Sequence, residues 1–175
     1  MILDLSNVLS ETHRTIETKV PVEMQNFESM NGKFPVKEAD QLEIKVEHIK
    51  GKELRIQGKG RVILAVPCDR CLEPVDTEIS LEFDRHVDLS IPDGEQGEEL
   101  DETNYIDGYT LDVEKLLHNE ILVGWPTKIL CKEDCKGICN ICGQNLNQGT
   151  CSCEDTSLDP RMSVIRDVFK NFKEV

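Results

Sequence analysis

The sequence predicts an α+β protein, an antiparallel β meander or partial barrel with a few helices and a small cysteine-rich module at its C-terminal end. Two observations predict this class. Apolar residues alternate with charged ones through much of residues 42–85, as in strands with one solvated face. Six cysteines then fall within the 23 residues from Cys131 to Cys153, a density typical of a metal-binding module.

The clearest strand pattern starts at Leu42, where positions 42, 44, 46 and 48 alternate with charged residues. Gly51-Lys52 suits a turn, and the alternation continues through residues 54–66 and again through residues 75–85. Residues 14–27 alternate in part and contain a proline, which suits an edge strand. These segments together predict the meander.

Three segments favour helix. Residues 2–10 contain enough apolar residues for a short helix or a docking strand. Residues 110–124 place leucines and isoleucines at helical spacing, with acidic residues in the expected first turn. Asp159-Pro160 has the form of an N-cap followed by the first position of a closing helix.

Charge divides the chain into two predicted domains. Residues 1–127 hold 13 basic and 27 acidic side chains, whereas residues 128–175 hold 7 of each. We therefore predict an acidic β-rich domain over 1–127, and a zinc-binding module with a closing helix packed on that domain over 128–175. Residues 92–108 contain seven acids and no base, which predicts an exposed acidic loop.

Several classes of protein find no support in the sequence. No apolar run is long enough for a membrane span and the N-terminus lacks the features of a signal peptide, so we expect a cytoplasmic protein with no membrane partner. The sequence contains no Gly-rich phosphate loop and no HExxH motif, and its four histidines are scattered. We therefore expect no catalytic residue, no enzyme activity and no small-molecule substrate.

The C-terminal cysteine cluster predicts one structural zinc. Zinc favours four tetrahedral thiolate or imidazole ligands, and a Cys-x-x-Cys-Gly turn such as Cys139 to Gly143 aims two sulfurs at one point. The other two ligands come from four further cysteines, and the sequence does not choose among them. With thiolates only, the site is expected to be closed and structural, in preference to an iron–sulfur cluster or free thiols. The six candidate ligands are Cys131, Cys135, Cys139, Cys142, Cys151 and Cys153.

A second motif, Cys68-Asp69-Arg70-Cys71, lies between two strand patterns. It could be a second zinc knuckle completed by the two thiols that the C-terminal site leaves over. It could also be a thiol-redox pair, or a structural turn that presents Arg70 to a phosphate or carboxylate. We keep Cys68, Arg70 and Cys71 as a possible second metal site or functional turn.

Four segments together resemble the YceD family, the large ribosomal RNA subunit accumulation proteins, over roughly residues 60 to 172. The segments are Cys68–Pro74, Asn119–Leu122 with the following Trp125-Pro126, Leu130–Asn147 and Asp159–Arg161. Asn140 stands where relatives often have proline. Some relatives keep the Cys-x-x-Cys pair without the six-cysteine module, which implies that the module stabilises the protein and that the shared activity lies elsewhere.

The resemblance implies a non-enzymatic factor for 23S rRNA synthesis, processing or stability, and hence for ribosome biogenesis. The implied partner is ribosomal RNA or a large-subunit ribosomal protein. Two alternatives remain open at this stage: a thiol-redox protein that uses Cys68 and Cys71, and a module whose acidic face binds a basic ribosomal protein.

Overall fold

The structure, a computed structural model, describes residues 1–89 and 104–153. Within them the chain is mostly antiparallel β-sheet with two helices, so the β-rich character predicted from the sequence is confirmed and helix is a minor component. The elements are β1 (Ile2–Asp4), α1 (Ser6–Leu9), β2 (Thr15–Val20), β3 (Asn26–Ser29), β4 (Gly32–Ala39), β5 (Leu42–Lys50), β6 (Glu53–Pro67), β7 (Pro74–Asp88), β8 (Ile106–Asp107), β9 (Thr110–Asp112) and α2 (Val113–Val123).

The chain divides into two compact units. The first consists of Met1–Val66 and Pro74–Ile129, and the second of Pro67–Glu73 and Leu130–Val175. The sequence placed the domain boundary at residue 127 and assigned the Cys68–Cys71 motif to the first domain. In the structure that motif belongs to the second unit, together with the other cysteines.

The main sheet of the first unit is organised by β6, a strand of 15 residues. Two strands pair with successive parts of it: β5 with residues 53–59 and β4 with residues 62–64. β2 extends the sheet beyond β5, β3 extends it beyond β4, and β7 also pairs with β6. β2 lies at the end of this order and stops one residue before Pro21, in agreement with the edge strand that the sequence predicted.

Alternation in β5 shows why the sequence pattern was informative. Leu42, Ile44, Val46 and His48 are buried while their neighbours are exposed or half-buried. The His48 ring is accommodated because its Nδ1 lies 3.0 Å from the carbonyl oxygen of Glu11 and its Nε2 lies 2.9 Å from another backbone carbonyl oxygen. Burial of a polar ring is tolerated where its nitrogens meet such partners.

A second, three-stranded sheet has the order β1-β9-β8 and leads directly into α2. Asp112 caps this helix, since its carboxylate accepts hydrogen bonds from the backbone N–H groups of Glu114 and Lys115. The predicted helix over 110–124 is therefore present but begins at Val113. Residues 2–10 form both of the alternatives considered, a short strand and one turn of helix.

A bidentate ion pair anchors α2 to β7. The Arg85 guanidinium donates to both carboxylate oxygens of Glu120, at 2.8 and 3.1 Å. Glu120 is only 7% exposed, so this charge is compensated by a partner with matching geometry. Nearby, Trp125 follows the helix and packs on Phe27 and Phe34, with ring centroids 5.5 and 5.0 Å apart.

Gly58 marks a close approach within the main sheet. The Phe83 ring of β7 lies so near that a Cβ at position 58 would be 2.1 Å from Phe83 Cζ. Only a residue without a side chain fits there, because the ring occupies the space that a methyl group would need. Phe83 is itself 7% exposed and belongs to the core.

Two of the predicted segments fall wholly or partly outside the described residues. The expected closing helix that starts at Asp159 lies outside them, as does the expected acidic loop up to residue 103. The end of that predicted loop was wrong, because Tyr105 and Ile106 are buried and β8 covers residues 106 and 107. Within the described residues, no helix is both long and apolar enough to cross a bilayer.

Replacing Gly58 with alanine should lower the free energy of unfolding by about 1–3 kcal/mol, the usual cost of overpacking a core. The added methyl group forces Phe83 out of its position. Urea denaturation followed by circular dichroism measures the change. Phe83→Leu provides the matched background. The loss of unfolding free energy in the double variant should be smaller than the sum of the losses in the two single variants. Additive costs would show that the ring is not what excludes the methyl group.

Candidate metal centres

The eight cysteines gather at two points in the second unit. Site 1 consists of Cys68, Cys71, Cys131 and Cys135, and site 2 consists of Cys139, Cys142, Cys151 and Cys153. Within each site the four sulfur atoms lie within 4.8 Å of one another, and all eight cysteines are free. Four sulfurs around one zinc at 2.3 Å stand about 3.8 Å apart, so this spacing suits a shared metal ion.

Site 1 begins with the turn that links β6 to β7. The Cys68 N–H donates to the Glu73 carbonyl at 2.8 Å, and the Leu72 N–H donates to the Cys68 carbonyl at 3.0 Å. Leu72 takes a left-handed φ of 61°, an unfavourable conformation for a branched residue that the turn enforces. This folding of the chain brings the Cys68 and Cys71 thiols to the same side.

The other two thiols of site 1 come from residues far along the chain. The sulfurs of Cys71 and Cys131 are 3.5 Å apart, and those of Cys68 and Cys135 are 3.8 Å apart. The Cys131 N–H also points at the Cys68 sulfur, at 3.4 Å. Three of the four residues, Cys68, Cys71 and Cys135, are buried, and Cys131 is exposed. The site is therefore enclosed on most sides.

Arg70 holds the two halves of site 1 together. Its guanidinium donates to the Cys135 carbonyl at 2.8 Å, and its own carbonyl accepts from the Ile138 N–H at 3.1 Å. Gly137 makes this contact possible: it has a φ of 79°, and a Cβ there would lie 3.1 Å from the Arg70 carbonyl oxygen. Arg70 thus has a structural contact, and the phosphate or carboxylate contact considered for it from the sequence stays a prediction.

Site 2 begins with a second tight turn of the Cys-x-x-Cys-Gly type. The Gly143 N–H donates to the Cys139 carbonyl at 2.9 Å, and the Ile141 N–H points at the Cys139 sulfur at 3.4 Å. Gly143 takes a φ of 74°, which a glycine adopts without strain. The chain then turns through residues 145–148 and returns with Cys151 and Cys153.

Within each site, the pKa values of the thiols are shifted in different directions. Burial acts to raise the pKa of Cys68, but N–H groups of Cys71, Arg70 and Cys131 outweigh it and lower the value to about 6. N–H groups of Cys142 and Ile141 lower the pKa of Cys139 to about 6 as well. Backbone N–H groups aimed at sulfur thus favour the thiolate forms of Cys68 and Cys139.

Burial acts to raise the pKa of Cys135, but the Asn147 side chain and the Gly137 N–H outweigh it and lower the value. Other thiols shift in the opposite direction. The Cys71 thiol raises the pKa of Cys131 to about 12, and the Cys142 thiol raises that of Cys153 to about 12. Several negative charges at such short distances repel one another. A divalent cation removes this conflict, because it allows every thiolate of a site to carry its charge.

The donor set determines what these sites can do. Each offers four sulfurs and neither includes a histidine or a carboxylate. Four thiolates fill the tetrahedral positions of a zinc ion and leave none for water or substrate, which is the pattern of structural zinc sites. The arrangement therefore suits metal binding that holds chain segments together.

The structure separates the six C-terminal candidate ligands. Cys139 and Cys142 lie with Cys151 and Cys153, whereas Cys131 and Cys135 lie with Cys68 and Cys71. This grouping corresponds to the alternative in which the Cys68–Cys71 motif is a second knuckle. The sequence contains no signal for the hydrogen bonds that Asn147 donates to Cys135 and Asn145 donates to Glu73, because amides and carboxylates are common in polar loops.

The geometry thus defines a β-rich protein with two four-cysteine sites that could each hold a metal ion. A family model described as "Large ribosomal RNA subunit accumulation protein YceD" matches residues 56–169, a range that contains all eight cysteines. The chain belongs to the YceD family. Comparison with curated proteins and with solved structures found no match.

Thiol reactivity should follow the metal. In the metal-loaded protein we expect all eight thiols to react slowly with a disulfide reagent such as DTNB, because a coordinated thiolate is a poor nucleophile. Adding a chelator should release all of them, with urea-denatured protein as the control for total thiol. Immediate reaction of Cys68 and Cys71 in the metal-loaded protein, located by mass spectrometry, would contradict their assignment to site 1 and favour a redox pair.

Proposed function

We propose that this protein is a non-enzymatic factor for the synthesis, processing or stability of 23S rRNA, and that it promotes accumulation of the large ribosomal subunit. The observation that carries the proposal is the family match over residues 56–169. Membership of the YceD family links the chain to large-subunit accumulation. The role in synthesis, processing or stability of 23S rRNA and the absence of catalysis are proposals that go beyond this family membership.

The contacts of the polar groups support a non-catalytic role. His48 is buried against two backbone carbonyls, and His118 lies against Phe27 with its Nε2 2.7 Å from the Glu28 carbonyl oxygen. The Arg85–Glu120 pair serves to attach a helix. Each of these groups has a hydrogen-bond partner within the described residues, an arrangement typical of groups with a structural role.

We propose that the metal is zinc and that its role is to fold the second unit. The described part of that unit, residues 67–73 and 130–153, contains three buried side chains of apolar type, namely Cys68, Cys71 and Cys135. Its interior is therefore made of ligand sulfur, with no buried aliphatic or aromatic side chain among the described residues. Segments of this kind draw their folding free energy from the metal.

The acidic first part of the chain favours a basic protein as the direct partner. Residues 1–127 have an excess of 14 acidic side chains, a surface that repels a phosphate backbone and attracts cationic proteins. We therefore propose contact with a basic large-subunit ribosomal protein through this part. Residues 128–175, whose charges balance, are the part of the chain that would not repel an RNA backbone through net charge.

Depletion of the protein from its host cell should lower the ratio of 23S to 16S rRNA and reduce free large subunits on a sucrose gradient. Re-expression of the wild-type chain should restore both. A chain with Cys139 and Cys142 changed to serine should restore them less well, because the second unit loses a site. An unchanged 23S to 16S ratio after depletion would overturn the proposed function.

The partner can be tested by capture from a ribosomal protein mixture. We expect the full chain to retain a basic large-subunit protein after RNase treatment and to release it as salt is raised, since screening weakens attraction between exposed charges. A variant that neutralises a group of acids in residues 1–127 should release it at lower salt. Capture that is abolished by RNase would show RNA to be the direct partner and contradict this choice.

A further inference from the structure

The loop of site 2 supplies a contact to site 1. Asn147 lies in sequence between the two cysteine pairs of site 2, yet its side-chain Nδ2 donates to the Cys135 sulfur of site 1 at 3.2 Å. Its Oδ1 accepts from the Lys136 N–H at 2.9 Å, which fixes the orientation of the amide. Asn147 is half-buried. An N–H donor to a ligating sulfur orients that ligand and tunes its affinity for metal.

Hydrogen bonds attach the segment between the two sites, residues 136–138, to the loop of site 2. Cys135 ends site 1 and Cys139 begins site 2, so three residues separate them. Within this short link, the Gly137 carbonyl accepts from the Leu146 N–H at 2.9 Å, and Ile138 forms a β-bridge with Asn145. The Cys139 N–H donates to the Gln144 carbonyl at 2.8 Å. The link therefore pairs with the site 2 loop and cannot shift independently of it.

A reciprocal contact runs from site 1 to the same loop. Glu73, in the turn that carries Cys68 and Cys71, accepts from Asn145 Nδ2 at 3.1 Å and from Gln148 Nε2 at 2.9 Å. These amides lie on either side of Asn147. Ordering the site 1 turn therefore positions the loop that must bring Cys151 and Cys153 to site 2.

We propose that the chain binds two divalent metal ions of the zinc class, one in each four-cysteine site, and that binding is positively cooperative with Asn147 as the coupling residue. The ion in site 2 fixes the loop, and the fixed loop presents the Asn147 amide to Cys135. By thermodynamic reciprocity, an ion in site 1 favours site 2 by the same factor.

Charge repulsion opposes the filling of both sites. A zinc ion with four thiolates carries a net charge of about −2, so two filled sites close together repel each other. The amide of Asn147 and the guanidinium of Arg70 both direct N–H groups toward Cys135, one to its sulfur and one to its carbonyl. These donors offset part of the negative charge on the side of site 1 that faces the link.

The test uses the full-length, reduced, metal-free protein titrated with Co²⁺ and with Zn²⁺. Native mass spectrometry counts metal-free, one-metal and two-metal species, and the sulfur-to-cobalt absorption reports tetrahedral thiolate coordination. We expect two metals per chain and less of the one-metal species than independent sites would give. A single metal per chain, or one-metal species at the independent-site level, overturns the proposal.

Variants identify the coupling residue. Asn147→Ala should still bind two metals, but its site 1 affinity should fall about 10- to 100-fold, the usual effect of losing an outer contact to a ligand, so that one-metal species accumulate. Asn31→Ala is the matched control, because Asn31 is an exposed asparagine of the first unit and belongs to neither metal site; it should titrate like the wild type. Identical behaviour of the two variants removes Asn147 from the coupling and overturns the proposal.

A chain without site 2 completes the cycle. With Cys142 and Cys153 changed to serine, the loop lacks its ion, and Asn147→Ala should then weaken site 1 by a smaller factor than in the intact chain. An equal factor in both backgrounds would mean that Asn147 acts on site 1 alone, without coupling, which contradicts the proposal. Metal counting needs no ribosomes, so this outcome is independent of the proposed role in rRNA accumulation.

Discussion

The meeting of thiols that are far apart in sequence is the constraint on which the second unit depends. Cys71 and Cys131 are separated by 60 residues, yet their sulfurs are 3.5 Å apart. Closing a segment of that length costs conformational entropy, and the described part of the unit has no buried aliphatic or aromatic cluster to offset it. Coordination of one metal ion by all four thiols of site 1 would provide a free energy that offsets this cost.

The first unit is held together by a different force. Its interior contains closely packed hydrocarbon and aromatic side chains from strands β2 to β9, such as Ile56 and Leu64 of β6. Burial of such side chains contributes about 25 cal/mol per Å² of apolar surface and needs no ligand. The hydrophobic effect therefore stabilises the first unit, whereas the proposed metal–thiolate bonds would stabilise the second.

Local features of this fold could be predicted from the sequence, whereas features that join distant residues could not. Alternation identified the inward face of β5, and the Cys-x-x-Cys-Gly spacing of Cys139–Gly143 identified one turn aimed at a metal. Periodicity and spacing are properties of neighbouring residues, so a single sequence displays them.

The partition of the remaining cysteines is a long-range property. Whether Cys131 lies near Cys71 or Cys151 depends on how β6 and β7 direct their connecting turn, and no local pattern records it. The contact between Asn147 and Cys135 is equally invisible, because its donor is one amide in a polar loop. The burial of Tyr105 was not predicted, because the acidic residues around it in the sequence indicated an exposed loop.

The position of the Cys68–Cys71 turn has a consequence for the order of synthesis. A chain emerges from the ribosome N-terminus first, at about 5–20 residues per second. The turn is therefore made 60 residues before Cys131, an interval of roughly 3–12 s at that rate. During this interval the nascent chain carries two thiols of site 1 whose partner thiols have not yet been synthesised. The four thiols of site 1 are therefore all present only after the last of its cysteines has been translated.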